Sequence, residues 1–329
     1  MQAVILAAGR GKRLHPLTLT RSKAMLPVWG KPMLDRVLDS LAHSDLGEFI
    51  IVTSPQDSEI RRYFLEHSRP GISLEWVVQP EPLGMAQALS LAAPSLRGSF
   101  LLSSCDNLTR AGHVADLLAQ HESHSANATL SLMEIDPASA GTSSTVEFHQ
   151  GQVRGIVEKP APGKGLSNIA SLPLYVFSSR LLDCLSDVPL SPSGEYQLQD
   201  AIQVLIERNG KVTGVFTPSR LQLTHADDLL TLNRYYMSRD SDPACVAPAH
   251  KGSGTKLVPP VGIEAGTVIG SNCTIGPAVY IESDCHIGAH VSLKDAVILR
   301  GSRIEEGRQV AGKVLAPEAS PIGEVNHDG

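Results

Sequence analysis

AVILAAGRGKRLHPLTLTRSKAMLPVWGKPML (residues 3–34) carries six Lys and Arg side chains and three prolines between two apolar segments. Its first seven residues, AVILAAG, read as a buried β-strand, because aliphatic side chains fill the run without a polar interruption. Gly9-Arg10-Gly11-Lys12-Arg13 follows directly. Such a turn offers bare backbone N–H groups and cations together, which suits an anion and above all a phosphate. No Ser or Thr follows Lys12, so this is not a Walker A loop, and Leu14 at the third glycine position excludes the dinucleotide fingerprint. Taken alone, the segment fits a tight turn with solvated cations equally well.

Working outward, aliphatic runs alternate with helical stripes. PMLDRVLDSLAHS (32–44) sets Leu34, Val37, Leu38, Leu41 and Ala42 on one face of a helix. Strands are expected at EFIIVTS (48–54), LEWVVQ (74–79) and SFLLSSCDN (99–107), with helices at SEIRRYFLEH (58–67) and GMAQALSLAAPSL (84–96). This βαβ repetition predicts an α/β domain with a mixed, mostly parallel sheet. Further strands are expected at TLSLMEI, TVEFHQ, VRGIVEK and LPLYVF, and helices near 195–208 and 226–238.

The texture changes near residue 240. SRDSDPACVAPAHKGSGTKLVPP (238–260) is rich in Pro, Gly, Ser and Ala and reads as a linker. Beyond it Ile263, Ile269, Ile275, Ile281, Ile287, Leu293 and Leu299 recur every six residues. That period predicts hexapeptide rungs of a left-handed parallel β-helix, with one aliphatic per face filling the bore. The expected divisions are a domain at 1–238, a linker at 239–258, a short β-helix at 259–310 and a flexible tail at 311–329. A coil this short leaves an end uncovered, so assembly into a homo-oligomer through the β-helix is expected. His286 and His290 within the repeat open a second option, acyl transfer with a histidine base, against the plainer reading of surface side chains.

Bulk properties narrow the function. A net charge of -6 argues against broad nucleic-acid binding and makes the local cationic loop more telling. Five cysteines form no CxxC pair, so reduced thiols in a cytoplasmic protein are expected rather than a zinc site. MQAVILAAG has no cationic segment before its apolar run, unlike a signal peptide, and no stretch approaches the ~20 apolar residues of a membrane span.

Several motifs in one order carry a resemblance. GRGKRLHPLT (9–18), Lys23 before MLPV, GKPML (30–34), VVQPEPLGMAQAL (77–89), CDN (105–107), VEKP (157–160), GEYQLQDAI (194–202) and DDLLTLNRY (227–235) together resemble the sugar-1-phosphate nucleotidyltransferase family. The resemblance implies a Rossmann-like nucleotide-diphospho-sugar transferase domain that binds Mg²⁺, UTP or dTTP, and a sugar 1-phosphate, with neither nucleic acid nor membrane as partner. By matched position it implies Arg13, Lys23 and Asp106 as catalytic residues and Leu6, Ala8, Gly9, Gly11, Arg13, Gln79 and Gly84 as nucleotide-binding ones. Gln79 would read a pyrimidine, its amide donating to O4 and accepting from N3–H, though a strand-end Gln can also cap its own turn. Glu158, Lys159 and Asn168 would hold the sugar phosphate. Asp106 would bind the metal with Gln222, aligned on Asp228-Leu229-Leu230; another register puts Ser219 there.

The chain departs from the family pattern at Ser22, Cys105, Gln222, Ser144, Ser171 and Pro173. Two functions are therefore carried forward: an active uridylyl- or thymidylyltransferase for a hexose 1-phosphate, and a weakly active or inactive nucleotide-sugar-binding regulatory relative.

Overall fold

Each aliphatic run in the first two-thirds of the chain becomes a strand of one nine-stranded sheet. The strands are β1 (Gln2–Leu6), β2 (Glu48–Thr53), β3 (Ser73–Val78), β4 (Phe100–Ser104), β6 (Ala128–Glu134), β7 (Ser144–His149), β8 (Gln152–Val157), β9 (Ile169–Phe177) and β10 (Val212–Phe216). A separate pair joins β5 (Asn107–Thr109) to β11 (Arg220–Gln222). The computed structural model describes residues 1–42, 44, 46–161, 163–239 and 250–317. It divides into two units, Met1–Leu26 with Pro32–Gln222, and Pro27–Lys31 with the chain from Leu223 on.

In the first unit the sheet order is β3-β2-β1-β4-β9-β6-β10-β8-β7. Strands β3, β2, β1 and β4 are parallel, as βαβ crossovers require. The parallel character ends at β9, which runs antiparallel to both β4 and β6. The sheet is therefore mixed, with its parallel set confined largely to one half. Helices α1 (Met33–Ala42), α2 (Ser58–Glu66), α3 (Met85–Ala92), α4 (His113–Ser123) and α5 (Leu198–Glu207) accompany it. One core joins Val4, Ile50, Val52, Phe100 and Leu102 of the strands to Ala86, Leu89, Leu198 and Ile202 of α3 and α5. Burial of each large aliphatic there stabilises by roughly 1.5–3 kcal/mol. Pro173 sits inside β9, where a proline cannot donate a ladder bond. The register against β6 shifts between Leu172 and Tyr175, so the proline occupies a bulge.

The second unit holds α6 (Ala226–Met237) and three stacks of short parallel strands. Val261 lies opposite Val279, and Val279 opposite Ala296. Lys256, Thr274, Ser292 and Gln309 form a second stack, and His250, Val268, His286 and Arg303 a third. Ile263, Ile269, Ile275, Ile281, Ile287 and Leu293 meet in one apolar cluster, as the six-residue period predicts. Leu299 does not join them. Asp295 turns with φ 51° and its N–H bonds Pro277 O at 2.9 Å. The next coil is thereby one residue shorter, and Ile298 pairs with Ile281 in place of Leu299.

The expected divisions shift too. Paired strands begin at His250, inside the expected linker, and Gln309–Leu315 continues into the expected tail. Helix α6 belongs with the coil rather than with the sheet. Residues 240–249 of the linker and 318–329 of the tail lie outside the described residues. Asn233 of α6 explains why Pro27–Lys31 joins this unit: Trp29 N–H donates to its Oδ1 at 2.8 Å, and its Nδ2 donates to Pro27 O at 3.2 Å. Asp228 caps α6, accepting from Thr224 N at 2.6 Å and His225 N at 2.8 Å. Among the described residues no helix is long and apolar enough to cross a membrane.

Candidate functional site

Carboxyl ends of parallel strands are where an open α/β sheet exposes backbone to a ligand. Here β1 ends at Leu6, and buried Ala7 and Ala8 carry the chain into exposed Gly9 and Arg10. Gly11 takes φ 60° and opens the short turn Lys12–Leu14. Leu14 anchors that turn with 1% exposure, while Lys12 and Arg13 point into solvent. Among the described residues no ion pair engages Arg10, Lys12 or Arg13. Three unpaired cations on one glycine turn are open to an anion of high charge.

Lys23 begins a second short turn, Lys23–Met25, held by buried Ala24, Met25 and Leu26. Ser22 caps it, its Oγ accepting Ala24 N–H at 3.4 Å, which gives the departure at this position a structural use. The two turns are close: a Cβ added to Gly11 would lie 3.2 Å from Lys23 Cβ. Lys23 Nζ forms an ion pair with Asp106 Oδ2. Asp106 stands where β4 turns into β5, and Cys105 N–H secures that turn on Leu6 O at 3.1 Å. Burial, with Asp106 adding to it, pushes the Cys105 thiol up to about 12, so it stays a neutral space-filler rather than a thiolate ligand.

Gln222 ends β11 and its Cα pairs with that of Asn107, the residue after Asp106. Strand pairing thus sets Gln222 opposite the residue that follows Asp106. Sequence reading passed over Asn107, although it completes CDN. Asn107 is 5% exposed, and neither of its amide atoms has a hydrogen-bond partner. An orphaned buried amide on a strand that carries oxygen-bearing side chains is consistent with a site for a hard cation. Among the described residues no cluster of three His, Cys, Asp or Glu forms a metal site.

Gln79 follows β3, its N–H on Thr53 O at 2.9 Å. Both hydrogens of its side-chain amide are used, on Gly84 O at 3.1 Å and Gln87 Oε1 at 2.6 Å. The expected double role toward a pyrimidine is thereby halved: only Oε1 is left, as an acceptor. Gly84, at φ 103°, lies so close to Tyr196 that a Cβ would meet its carbonyl oxygen at 2.5 Å. Tyr196 N–H donates to Leu83 O at 2.7 Å and its O accepts from Ala86 N at 3.0 Å. The motif GEYQLQDAI thus clamps the Gln79–Gly84 loop through backbone, a use that side-chain patterns do not announce.

Three residues on, Gln199 reaches a second group. Its Nε2 donates to Ser144 Oγ at 3.1 Å, and Ser144 Oγ donates to Glu158 Oε2. Lys159 Nζ pairs with the other carboxylate oxygen at 2.9 Å. Burial, with Glu158 nearby, holds the Asp200 carboxyl above the usual range. Tyr175 is fully buried below, accepting from Ser171 Oγ at 3.2 Å. Asn168 is exposed just before β9 and stays outside this bonded cluster, its carbonyl accepting Ile135 N–H at 2.9 Å.

A cationic glycine turn, the Lys23–Asp106 ion pair and a buried polar cluster share one α/β unit, a combination suited to an anionic, polar ligand. The chain belongs to the sugar-1-phosphate nucleotidyltransferase family: the profile described as "Nucleotidyl transferase" matches residues 2–221, and that of the "GMPPB C-terminal domain" matches 257–327. It is 27% identical to the glucose-1-phosphate thymidylyltransferase of Streptomyces griseus over 96% of this chain and 92% of that one. It is 30% identical to the UTP–glucose-1-phosphate uridylyltransferase AglF of Haloferax volcanii, over 64% of this chain and 85% of that one. A UTP-bound UGPase from Acinetobacter baumannii shares the fold, with a TM-score of 0.66 at 22% identity over 74% of this chain and 95% of that one.

Proposed function

We propose that this chain transfers a uridylyl or thymidylyl group from UTP or dTTP to a hexose 1-phosphate. A phosphate oxygen of the sugar 1-phosphate attacks the α-phosphorus, the bond to the β-phosphate oxygen breaks, and pyrophosphate leaves. The observation that carries this reading is Lys23, held between Gly11 of the cationic loop and Asp106. Phosphoryl-group chemistry of this kind needs alignment and charge neutralisation more than covalent help. Arg13 would grip the β- and γ-phosphates, whose paired oxygens suit a guanidinium fork. Lys23 would bridge the two reacting phosphates, exchanging Asp106 for phosphate oxygens. Gln79 Oε1 would accept the N3–H of a pyrimidine, and Glu158 with Lys159 would hold the sugar and its phosphate.

The donor set at Asp106, Asn107 and Gln222 fits Mg²⁺, which prefers hard oxygens. Asp106 and Gln222 would hold it, and when bound it would offset the negative charge gathered by two phosphate-bearing substrates. With Gln222 neutral, this pair carries one formal charge.

The regulatory reading rested on Cys105, Gln222 and Pro173. Cys105 is a buried neutral thiol and Pro173 sits at a bulge of β9, which supports the transferase reading over the regulatory one. Pyrophosphate release with UTP, dTTP, CTP and GTP against a panel of hexose 1-phosphates tests the proposal. Silence across the panel would reject it, and a GTP preference would reject the pyrimidine assignment. The stacked strands of the second unit support a left-handed β-helix that assembles copies of the chain. His286 and His290 are exposed, which supports reading them as surface side chains. Deleting residues 240–329 should lower the number of copies per particle measured by light scattering, and an unchanged copy number would rule out assembly through this region.

A further inference from the structure

Ser144 opens β7 and Glu158 follows β8, whose antiparallel pairing sets Thr145 opposite Val157. The two side chains therefore meet across the end of the ladder, and Ser144 Oγ donates its proton to Glu158 Oε2. A hydroxyl has a single proton, so the oxygen is left to accept, and Gln199 Nε2 supplies that bond at 3.1 Å. Turned the other way, the Gln199 carbonyl and the carboxylate would compete for one hydrogen. The cost of the chosen direction is visible: Gln199 is 5% exposed and its Oε1 has no partner. A buried amide that leaves its own acceptor unsatisfied is placed for what its N–H groups do, here on Ser144 and on the Tyr175 hydroxyl.

Glu158 needs such a hold. Its other oxygen pairs with Lys159, a side chain 53% exposed. Asp200 brings a like charge from α5. Neither neighbour fixes the plane of the carboxylate, whereas a buried hydroxyl locked by a buried amide does.

We propose that Ser144 and Gln199 are positioning residues that fix the Glu158 carboxylate, so that it recognises one hydroxyl of the sugar ring in a set direction. The inference rests on the transferase reading above. It concerns recognition of the sugar, because among the described residues neither side chain hydrogen-bonds the glycine loop, Lys23 or the Gln79 loop. It also gives a use to Ser144, which stands near where the family pattern has glycine.

The test is kinetic: kcat and KM for both substrates, followed by pyrophosphate release with glucose 1-phosphate and the triphosphate that the wild type prefers. S144A should raise the KM for the sugar phosphate about tenfold, the scale of one bond to a charged group, and leave the KM for the triphosphate unchanged. S144T, which keeps the hydroxyl, should recover most of that loss. Q199L should produce a smaller rise of the same kind, and the double variant should be no worse than S144A, because the two act on one carboxylate. Q199L carries the comparison should S144A fail to fold. Equal rises in both KM values, or additive effects in the double variant, would overturn the proposal. If the wild type releases no pyrophosphate, the transferase reading falls separately. Calorimetric titration of UDP-glucose then decides: about tenfold weaker binding to S144A upholds the positioning role, while equal affinity, or no binding to the wild type, overturns it.

Discussion

Lys23→Met keeps most of the side-chain stem and removes the cation, so it separates the chemistry of Lys23 from its packing. The side chains of Lys23 and Asp106 are 14% and 21% exposed, which places the pair between surface and interior. Exposed pairs contribute ~0.2–1 kcal/mol, and stripping one partner from a fully buried pair costs ~3–5 kcal/mol. At this burial the expected destabilisation is ~1–2 kcal/mol, or a fall in melting temperature of roughly 2–8 °C for a unit of this size. The effect on rate should be much larger. A preorganised donor facing charge that develops in the transition state is worth ~2.7–4 kcal/mol, or roughly a hundred- to a thousandfold in kcat. Lys23→Arg should recover part of the rate, limited by a fork that must fit beside Gly11. The assay is pyrophosphate release under saturating triphosphate, run beside a melting curve. A kcat within fivefold of the wild type would refute the role given to Lys23. A melting temperature that collapses by tens of degrees would show that the rate loss reports unfolding instead.

The clamp on the base loop predicts that Gly84→Ala, at φ 103° with Tyr196 O only 2.5 Å from the new Cβ, costs ~1–3 kcal/mol of local strain. It should raise the KM for the triphosphate at least about tenfold, and an unchanged KM would remove this loop from the nucleotide site. His113 and His121 of α4 are buried and neutral, their pKa values lowered by desolvation. A lowered folded pKa means that the unfolded chain takes up protons first, so stability is complete above the ordinary value near 6.5 and falls as pH drops below it. Urea midpoints should decline from pH 7.5 to 5.5, by up to ~1.4 kcal/mol per histidine per pH unit, and a flat profile would contradict their burial as neutral groups. Gln222→Asp adds a second carboxylate beside Asp106 and Asn107 and should tighten Mn²⁺ binding to the nucleotide-free protein at least about tenfold. Unaltered Mn²⁺ affinity would place the metal elsewhere.

Local chemistry announced most of the strands, as largely apolar runs between turn formers, but not Val212–Phe216, Asn107–Thr109 or Arg220–Gln222. It did not announce how they pair. β4 and β9 are joined antiparallel although their residues, 100–104 and 169–177, lie far apart in the chain. Pro173 argues against a central strand until the bulge between Leu172 and Tyr175 is seen. The hexad period identified the apolar cluster of the stacked strands as far as Leu293 and then failed at Asp295, since Ile298 and Leu299 are adjacent aliphatics and either satisfies a pattern. Within the site, Lys23 and Asp106 were legible because charged side chains carry their chemistry in their identity. Tyr196 was not, because it acts through its backbone, and a sequence is silent on which peptide groups meet. Gln79 shows a third limit. Its identity allowed two bonds to a base, but Gly84 and Gln87 had already taken its hydrogens.

The two sides of the site differ in how much they can vary, and the reason is energetic. Phosphates are the same whatever base or sugar they carry, so cations that meet them have little freedom, and that is the constraint proposed for Arg13 and Lys23. Recognition of a ring hydroxyl depends instead on directed hydrogen bonds, and a buried network such as Ser144–Glu158–Gln199 can be rebuilt around a different sugar without disturbing the phosphate half. The same physics ranks the specificities. Uracil and thymine differ by a methyl group, which a pocket discriminates by only ~10–200-fold, whereas a network built to bond a hydroxyl rejects its absence by ~10⁴–10⁵-fold. The chain should therefore accept UTP and dTTP with kcat/KM values within about two orders of magnitude, while discriminating far more sharply against a deoxy-sugar that lacks the hydroxyl facing Glu158. A chain that separated the two triphosphates more strongly than it separated glucose 1-phosphate from all of its monodeoxy analogues would reverse this ranking, and with it the assignment of Glu158 to the sugar.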